Sequence, residues 1–351
     1  ADVAAIGTSA DLVANDEAIV FECVAGTYAE SVTIDSSTPG PALTTDATRN
    51  VTYKAAAGSE HGGAFSSGVD LTNILVLDSF TVVDGLSVTQ TSGAGVSVGS
   101  SSVTPIGVIL RNLMVTAAGN SFSLVQGGTA TNPCVLENCV AKSTGTRSVL
   151  LTSIASGTDA HWGVVNCTVS SPGTEHGSSV GLSGTDAIYV EVTNNVVYAQ
   201  RPFYTSWPGP TSVTVSGSDN LGVSGSFAFP VAQQALSQPW TFSTNPADPS
   251  TGSLAIYDAT TGALVRAAGN DAIGVGTTTG IPAEDINGVT RLRGTYVDPG
   301  AFSLDLLEIG RTIDAAGGGD YTSFTQAEAD VSTLPTSTDL LLFNEAVAFE
   351  A

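Results

Sequence analysis

The chain has 351 residues, of which 33 are acidic and 10 are basic, and its formal net charge at pH 7 is −23. This charge repels phosphate, so we expect neither nucleic acid nor an anionic membrane surface as a partner. No apolar run reaches the roughly 20 residues of a membrane-spanning helix, so we expect no membrane insertion. An acidic surface fits either ordinary solubility or a saline medium. The chain begins with Ala1 and shows no leader, so we expect a mature or excised part of an extracellular protein.

The opening of the chain returns at its end, where residues 329–351 align with residues 1–23 without a gap. Eleven of the 23 aligned pairs are identical. A sequence that repeats at a fixed offset predicts structural units that follow one another. We therefore expect one complete unit, formed by residues 1–328, and the start of a second. Its partner is itself, either as separate molecules joined head to tail or as a tandem array.

The N-terminal strand, which holds Ile19, Val20 and Phe21, is followed by short β-branched runs that Gly, Ser and Thr clusters separate. Such runs predict strands and turns. Five of them place an Asn between two apolar stretches: Asn112, Asn138, Asn166, Asn194 and Asn220. The position numbers of successive asparagines differ by 26, 28, 28 and 26. This period is shorter than a βαβ unit of about 30 residues, so it predicts a solenoid of stacked parallel strands.

The repeated Asn indicates a corner between two strands. Asn tolerates the left-handed backbone that a sharp bend requires. Its side-chain amide can also hydrogen-bond to the amide one coil above. Gly85 has the same place one step earlier in the chain, without the amide. We expect the five asparagines to form a structural ladder along one corner of the solenoid.

With coils of this length, the sequence resembles the right-handed parallel β-helix proteins of the pectate-lyase-like superfamily over roughly residues 20–223. The resemblance implies an all-β fold. Residues 285–302 resemble the closing segment of such modules, and residues 319–324 resemble the opening segment of secreted and phage β-helix proteins. A helical stretch follows the second of these, in which Ser323 or Thr325 can cap the helix and Pro335 ends it. This predicts a short capping helix in the C-terminal segment.

These features divide the chain into three expected regions. Residues 1–225 form the β-helix core, and residues 226–308 form the last coils or a small appended β subdomain with the closing segment. Residues 309–351 form the start of a second copy. We hypothesise that the tail docks on the N-terminal end of a neighbouring unit, since a helix there would cover open strand edges. The expected interface residues are apolar: Ile19, Val20, Phe21, Phe324, Leu334, Leu340, Leu342, Val347 and Phe349.

Aromatic residues gather where the coil pattern ends, near residue 200. Arg201, Tyr204 and Trp207 could form a platform on which a sugar ring stacks, since such a site needs an exposed aromatic face and a polar group. The alternative is that these residues pack over the end of the core. Both interpretations stay open from the sequence.

Residues able to carry chemistry are few. The chain has no paired aspartates, and the close basic pair Arg291 and Arg293 falls in the presumed closing segment. His61 and His176 stand in a repeated Glu-His-Gly, which we interpret as a turn and not as a base or a metal ligand. Residues 285–288 begin like a calcium loop but lack the later ligands, so a turn is again expected, with calcium as the one cofactor still open. No zinc pattern occurs.

Cys139 and Cys167 take equivalent places in successive coils. In-register side chains of parallel strands suit the disulfide torsion poorly, so stacked, buried free thiols are expected.

The sequence therefore favours a structural subunit of an extracellular or virion fibre that assembles through its repeated terminal segment. It shows no convincing catalytic constellation. The alternative is a glycan-binding adhesin or tailspike-like β-helix, with or without polysaccharide lyase or hydrolase activity; fold likeness alone supports it.

Overall fold

The structure is a computed structural model, and it describes residues 11–35, 43–145, 147–153, 159–171, 178–199, 201–205, 213–217, 221–223, 276–291, 297–303, 309–313 and 340–344. Residues 1–303 and 304–351 form two compact units. The described residues are almost all β, and the one helix among them is α1 (Leu12–Asn15).

The first strands in chain order are β1 (Ile19–Cys23), β2 (Gly26–Ile34), β3 (Val51–Ala55), β4 (Val69–Val76), β5 (Thr81–Asp84), β6 (Ser87–Gln90), β7 (Val96–Val98), β8 (Ile109–Arg111), β9 (Met114–Ala117), β10 (Phe122–Val125), β11 (Cys134–Glu137) and β12 (Val140–Ser143). They continue with β13 (Arg147–Ser153), β14 (Ala160–Val165), β15 (Thr168–Ser171), β16 (Ser178–Gly184), β17 (Ile188–Thr193), β18 (Val196–Ala199), β19 (Arg201–Thr205), β20 (Val213–Ser216), β21 (Leu221–Val223), β22 (Ile309–Ile313) and β23 (Leu340–Asn344).

In the part formed by residues 1–303, parallel strands wind into a solenoid of about six turns. The first sheet has the order β1-β3-β5-β8-β11-β14-β17-β20. The second sheet has two arms, β6-β9-β12-β15-β18-β21 and β7-β10-β13-β16-β19, which join because β4 pairs with β6 at one end and with β7 at the other. Each full coil passes from the first sheet around a corner into one arm and then into the other.

The strand register confirms the predicted solenoid and its coil length. Met114 pairs with Val140 in the next coil. Val140 pairs in turn with Thr168, and Thr168 pairs with Val196. Each of these steps along the chain equals the spacing of the asparagines at the same coils. The residues after each Asn therefore stack in register, as the sequence repeat predicts.

The core consists of columns of aliphatic side chains that point into the solenoid. One column contains Leu110, Leu136, Val164 and Val192, which pair in succession along the first sheet and are all buried. Burial of each such side chain stabilises the fold by about 1.5–3 kcal/mol. Because each coil buries its apolar row against the next, every added coil extends one continuous core.

The part formed by residues 304–351 has one described parallel strand pair, β22 with β23, in which Ile309 lies opposite Leu340. Parallel neighbours require a connection of about a dozen residues or more, and 26 residues separate the two strands in the sequence. The predicted capping helix falls within those residues, outside the part of the chain that the structure describes. Asn220 also lies outside it.

Candidate functional site

A row of charged residues of alternating sign crosses the outer face of the first sheet; we call it the charge ladder. The strand register stacks Glu22, Lys54, Asp84, Arg111 and Glu137 in this order, one residue per coil. The Lys54 ammonium lies 3.0 Å from a Glu22 carboxylate oxygen, and Arg111 Nε lies 3.0 Å from Asp84 Oδ2. Opposite charges on adjacent strands attract, which supports the register.

The charge ladder forms the floor of a groove of about 880 Å³. One wall comes from residues 55–62 and the other from residues 282–288. The floor presents carboxylate acceptors and cationic donors in alternation, so the groove suits a polar ligand and not an apolar one.

Glu137 ends the charge ladder and is half-buried. Burial raises the pKa of its carboxyl group; the Arg111 cation opposes this effect, and the Asp84 carboxylate adds to it. Arg111 directs its Nε to Asp84, and no ion pair within the described ranges includes Glu137. Glu137 is therefore a groove carboxylate whose ionisation is disfavoured by its burial.

The corner residues after the charge ladder carry a chain of hydrogen bonds. Arg291 donates to Asn138 Oδ1 at 2.6 Å, Asn138 Nδ2 lies 3.3 Å from Asn112 Oδ1, and Asn112 Nδ2 donates to Asp84 Oδ1 at 2.8 Å. A buried cation is thereby connected to a carboxylate through two amides. Each amide donates toward the negative end of this chain, so the hydrogen bonds all run in one direction.

All four described corner asparagines have positive φ, between 50° and 55°, and Gly85 has φ 72°. Their side chains differ in partners. The amides of Asn112 and Asn138 meet, whereas Asn194 receives a hydrogen bond from Thr277 N and donates to Thr277 O, both at 2.8 Å. Asn166 is fully buried, and neither its amide nitrogen nor its oxygen has a hydrogen-bond partner among the residues that the structure describes.

Residues 276–291 and 297–303, which we call the strap, lie along this corner and cover apolar side chains on the outer face of the second sheet. Ile286, Ala301 and Phe302 of the strap pack on Met114 and Val140. This placement was not predicted from the sequence, because the strap contacts coils that are distant from it in the chain.

Two buried charged residues hold the strap in its conformation. Arg291 is 1% exposed and donates to the carbonyl oxygens of Glu284, Asp298 and Ala301 as well as to Asn138. Burial lowers its pKa to about 10, so it stays a cation at neutral pH. The carboxylate of Asp285 accepts from the backbone N–H groups of three residues, namely Asn287, Val289 and Ser303.

The contacts of Asp285 agree with the turn predicted for residues 285–288, since its oxygens face backbone donors. Among the described residues, no three acidic, imidazole or thiol groups converge on a point where they could hold a metal ion.

His61 is buried at the edge of the groove. Its Nε2 lies 2.8 Å from Asn112 O and its Nδ1 accepts from Gly63 N at 2.9 Å, so the ring is a neutral tautomer that donates through Nε2. Burial lowers its pKa, against the opposing effects of the Asn112 carbonyl and the Asp84 and Glu60 carboxylates. The ring ties a turn to a corner of the solenoid. The second Glu-His-Gly, with His176, lies outside the described residues.

Cys139 and Cys167 are buried and free, as expected. Burial raises the pKa of the Cys139 thiol well above its ordinary value. A thiol held protonated in an apolar core is a poor nucleophile, so this pair serves packing.

The structure describes only some of the predicted assembly residues. Ile19 and Phe21 are half-buried in β1, where the Phe21 ring stacks on Tyr53 with centroids 4.8 Å apart, and Val20 is 53% exposed. Leu340 and Leu342 lie in β23. The other predicted assembly residues lie outside the described ranges: Phe324, Leu334, Val347 and Phe349.

The structure also describes little of the residues expected to contact a glycan. Arg201 and Tyr204 lie in β19, of which only the strand pairing is described, and Trp207 falls outside the described residues. The structure instead shows the groove and its charge ladder, which were not predicted from the sequence. A signal was present, because Asp84, Arg111 and Glu137 each immediately precede a corner residue.

Comparison of the chain with protein-family models, with curated proteins and with solved structures found no match. No helix in the described ranges is long and apolar enough to cross a membrane.

Proposed function

We propose that the chain is a structural unit of an extracellular or virion fibre, in which β-helices follow one another end to end. The observation that carries this proposal is the return of residues 1–23 at residues 329–351. We further propose that the solenoid is right-handed and of the pectate-lyase-like type, since about 98% of parallel crossovers within a sheet are right-handed. Stacked coils would give each unit the stiffness of a rod.

The first coil supports the proposal because one edge of it lacks a described partner. Strand β1 pairs with β3 and β2 pairs with β4, and neither has a second neighbour within the described ranges. Val20 and Val24, at 53% and 63%, are the exposed large hydrophobic residues of the described chain. An unpaired strand edge beside apolar side chains is a ready surface for another chain.

Negative-stain microscopy of the purified chain, with and without residues 311–351, tests this function. We expect filaments or axially joined rods from the intact chain and single rods from the shortened one. Filaments of equal length from both would show that the tail does not join units. Loss of the β-sheet circular dichroism signal on shortening would instead show that the tail belongs to the fold.

A pair of substitutions at the open end gives a second test without shortening the chain. Val20→Glu with Val24→Glu adds charge to exposed positions, so the solenoid should fold while the filaments disappear. Ala130→Glu adds charge at an exposed loop on the side of the solenoid and should leave the filaments intact. Equal filaments from both variants would contradict end-to-end joining through this edge.

The groove favours glycan binding as a second candidate function. Its floor alternates carboxylates with cations, and sugar hydroxyls both donate and accept hydrogen bonds. The groove is acidic in balance, with Glu22, Glu60, Asp84 and Glu137 against Lys54 and Arg111 on the solenoid side, so a neutral sugar suits it better than a polyuronate.

A glycan array with two variants separates the candidates. Lys54→Ala alters the floor of the groove, and Trp207→Ala alters the aromatic patch predicted from the sequence. Selective binding that only Lys54→Ala removes would assign the groove, and loss only with Trp207→Ala would assign the patch. A structural unit should bind no glycan selectively. The same glycans, incubated and checked for cleavage, test the lyase or hydrolase alternative.

A further inference from the structure

The repeated segment has two conformations in its two copies. Residues Asp11–Asp16 and residues 339–344 are aligned by the repeat, with Asp11 matching Asp339 and Leu12 matching Leu340. In the first copy, Leu12–Asn15 forms α1, and in the second copy Leu340–Asn344 forms β23, paired with β22. The aligned stretches differ in sequence, LVAND in the first copy and LLLFN in the second, and in the second copy the strand Ile309–Ile313 lies beside the stretch.

We infer that, where units follow one another, the strand Ile309–Ile313 of one unit pairs in parallel with Leu12–Asp16 of the next unit, in the place that β23 has here, and converts α1 into a strand. The inference rests on the proposed end-to-end function and specifies its joint. The register of β22 and β23 sets the pairing, because position numbers in the second copy exceed those in the first by 328. Ile309 should lie opposite Leu12, Arg311 opposite Ala14, and Ile313 opposite Asp16.

Helix α1 is a weak competitor for this strand. It has four residues, which is below the length at which a helix is stable by itself. Besides the buried Leu12 side chain and the backbone hydrogen bonds of its turn, its supports include the Asp11 cap, whose carboxylate accepts from Ala14 N at 2.9 Å. They also include an ion pair of Arg49 with Asp16, whose side chain is 88% exposed. An exposed ion pair contributes little, so the backbone hydrogen bonds of a five-residue strand pair can replace it.

The surroundings of α1 already favour a strand. Asp11 forms a parallel bridge with Thr44, and Leu12 N donates to Thr44 O at 3.1 Å. Pairing with a second strand on the other side would extend this bridge into a sheet. The charges also match, since residues 309–313 carry one positive charge at Arg311 whereas the receiving segment carries the acidic Asp11 and Asp16. The occupant that fits this edge is therefore a second copy of the chain.

A two-unit chain, in which residues 1–328 precede the complete sequence, tests the joint. Arg311→Cys in the first unit is combined with Ala14→Cys in the second, and Cys23→Ser is introduced in both. The control pairs Arg311→Cys with Ala47→Cys, another exposed alanine near the N-terminal end. A short thiol cross-linker should join positions 311 and 14 at least tenfold faster than positions 311 and 47. Hydrogen exchange at Leu12–Asp16 of the second unit should slow at least tenfold relative to the single-unit chain.

Two outcomes would overturn the joint: equal cross-linking in the two pairs, or equally fast exchange of Leu12–Asp16 in the single-unit and two-unit chains. Microscopy of the same two-unit chain separates this failure from failure of the proposed function. Straight double-length rods without the 311–14 cross-link would reject the joint and keep the fibre. The cross-link without straight rods would keep the joint and reject the fibre.

Discussion

The corner asparagines have the same backbone conformation but different side-chain environments. Asn112 and Asn138 belong to the hydrogen-bonded chain from Arg291 to Asp84, whereas the buried amide of Asn166 has no partner within the described part of the chain. The common requirement at these positions is therefore a left-handed residue, with φ between 50° and 55°. The hydrogen bonds are an addition at some coils and not the reason that Asn recurs at all of them.

Substitution of Asn166 by Gly and by Ala tests this interpretation. Gly adopts the left-handed conformation freely, whereas an L-residue with a Cβ atom is less favourable there by about 1–2 kcal/mol. We expect Asn166→Ala to be less stable than Asn166→Gly by that amount, the reverse of the usual order of these residues in a strand or helix. Urea unfolding followed by circular dichroism measures the difference, and Ala equal to or above Gly would contradict it.

His61 makes the stability of the fold depend on pH, and the direction of this dependence follows from the burial of the imidazole. Because its pKa in the folded state lies below the ordinary value of about 6.5, the unfolded chain takes up a proton first as the pH falls. The free energy of unfolding therefore decreases as the pH falls from about 6.5 toward the pKa of His61 in the folded state. The loss is about 1.4 kcal/mol for each pH unit between the unfolded-state and folded-state pKa.

Thermal unfolding of the wild type and of His61→Gln from pH 7.5 to 5.5 checks this. Both proteins contain the same carboxylates, including Asp84 and Glu60 beside the ring, so the comparison isolates the imidazole. We expect the wild type to lose its stability advantage over the variant as the pH falls. A constant difference across this range would show that the pKa of His61 is the same in the folded and unfolded states, which contradicts the prediction.

The strap is the element that the solenoid pattern does not explain. It has no strand in the described ranges, and Arg291, at 1% exposure, is its central residue. Its guanidinium satisfies three strap carbonyl oxygens and Asn138 Oδ1 together. The strap should therefore detach as one cooperative piece, since loss of Arg291 removes every one of these bonds.

We expect Arg291→Met to free the strap and to leave the coils folded. The substitution leaves buried acceptors without a donor. Removal of one partner of a buried charged interaction typically lowers the free energy of unfolding by about 3–5 kcal/mol. Arg49→Met, which breaks ion pairs with Asp16 and Asp46 near the surface, is the matched control and should destabilise the protein much less. Hydrogen exchange should accelerate at residues 276–303 but not at β11 and β14. Equal acceleration throughout would show that the strap and the coils unfold together.

The sequence was sufficient for the solenoid because each coil repeats the same local requirements: apolar strands, a left-handed corner and Gly-rich turns. It was not sufficient for the charge ladder. Its residues are separated by 32, 30, 27 and 26 positions from Glu22 to Glu137. Because the loops of the first coils differ in length, the sequence does not reveal which residues of these coils lie opposite one another. The strap was equally hidden, because Arg291 and Asn138 are far apart in the chain and no local pattern connects them.

At the scale of the whole molecule, charge opposes the compact fold. A net charge of −23 leaves many carboxylates without a cationic counterpart, and the described residues form four ion pairs. Like charges in such numbers destabilise a compact state through repulsion. Added salt shortens the screening length from about 10 Å at 0.1 M to about 3 Å at 1 M, which weakens this repulsion more than it weakens close or buried pairs.

Thermal unfolding in sodium chloride between 0.05 and 1 M should therefore show a midpoint that rises with salt. The charge ladder predicts a smaller change in the opposite direction, because its exposed ion pairs are screened too, but two such contacts cannot offset the excess of carboxylates. Calcium chloride at equal ionic strength separates screening from binding. An equal rise in the two salts indicates screening alone, whereas a larger rise that saturates at low millimolar calcium would identify a specific site. A midpoint that falls with sodium chloride would show that the ion pairs, and not the net charge, dominate the electrostatics of the fold.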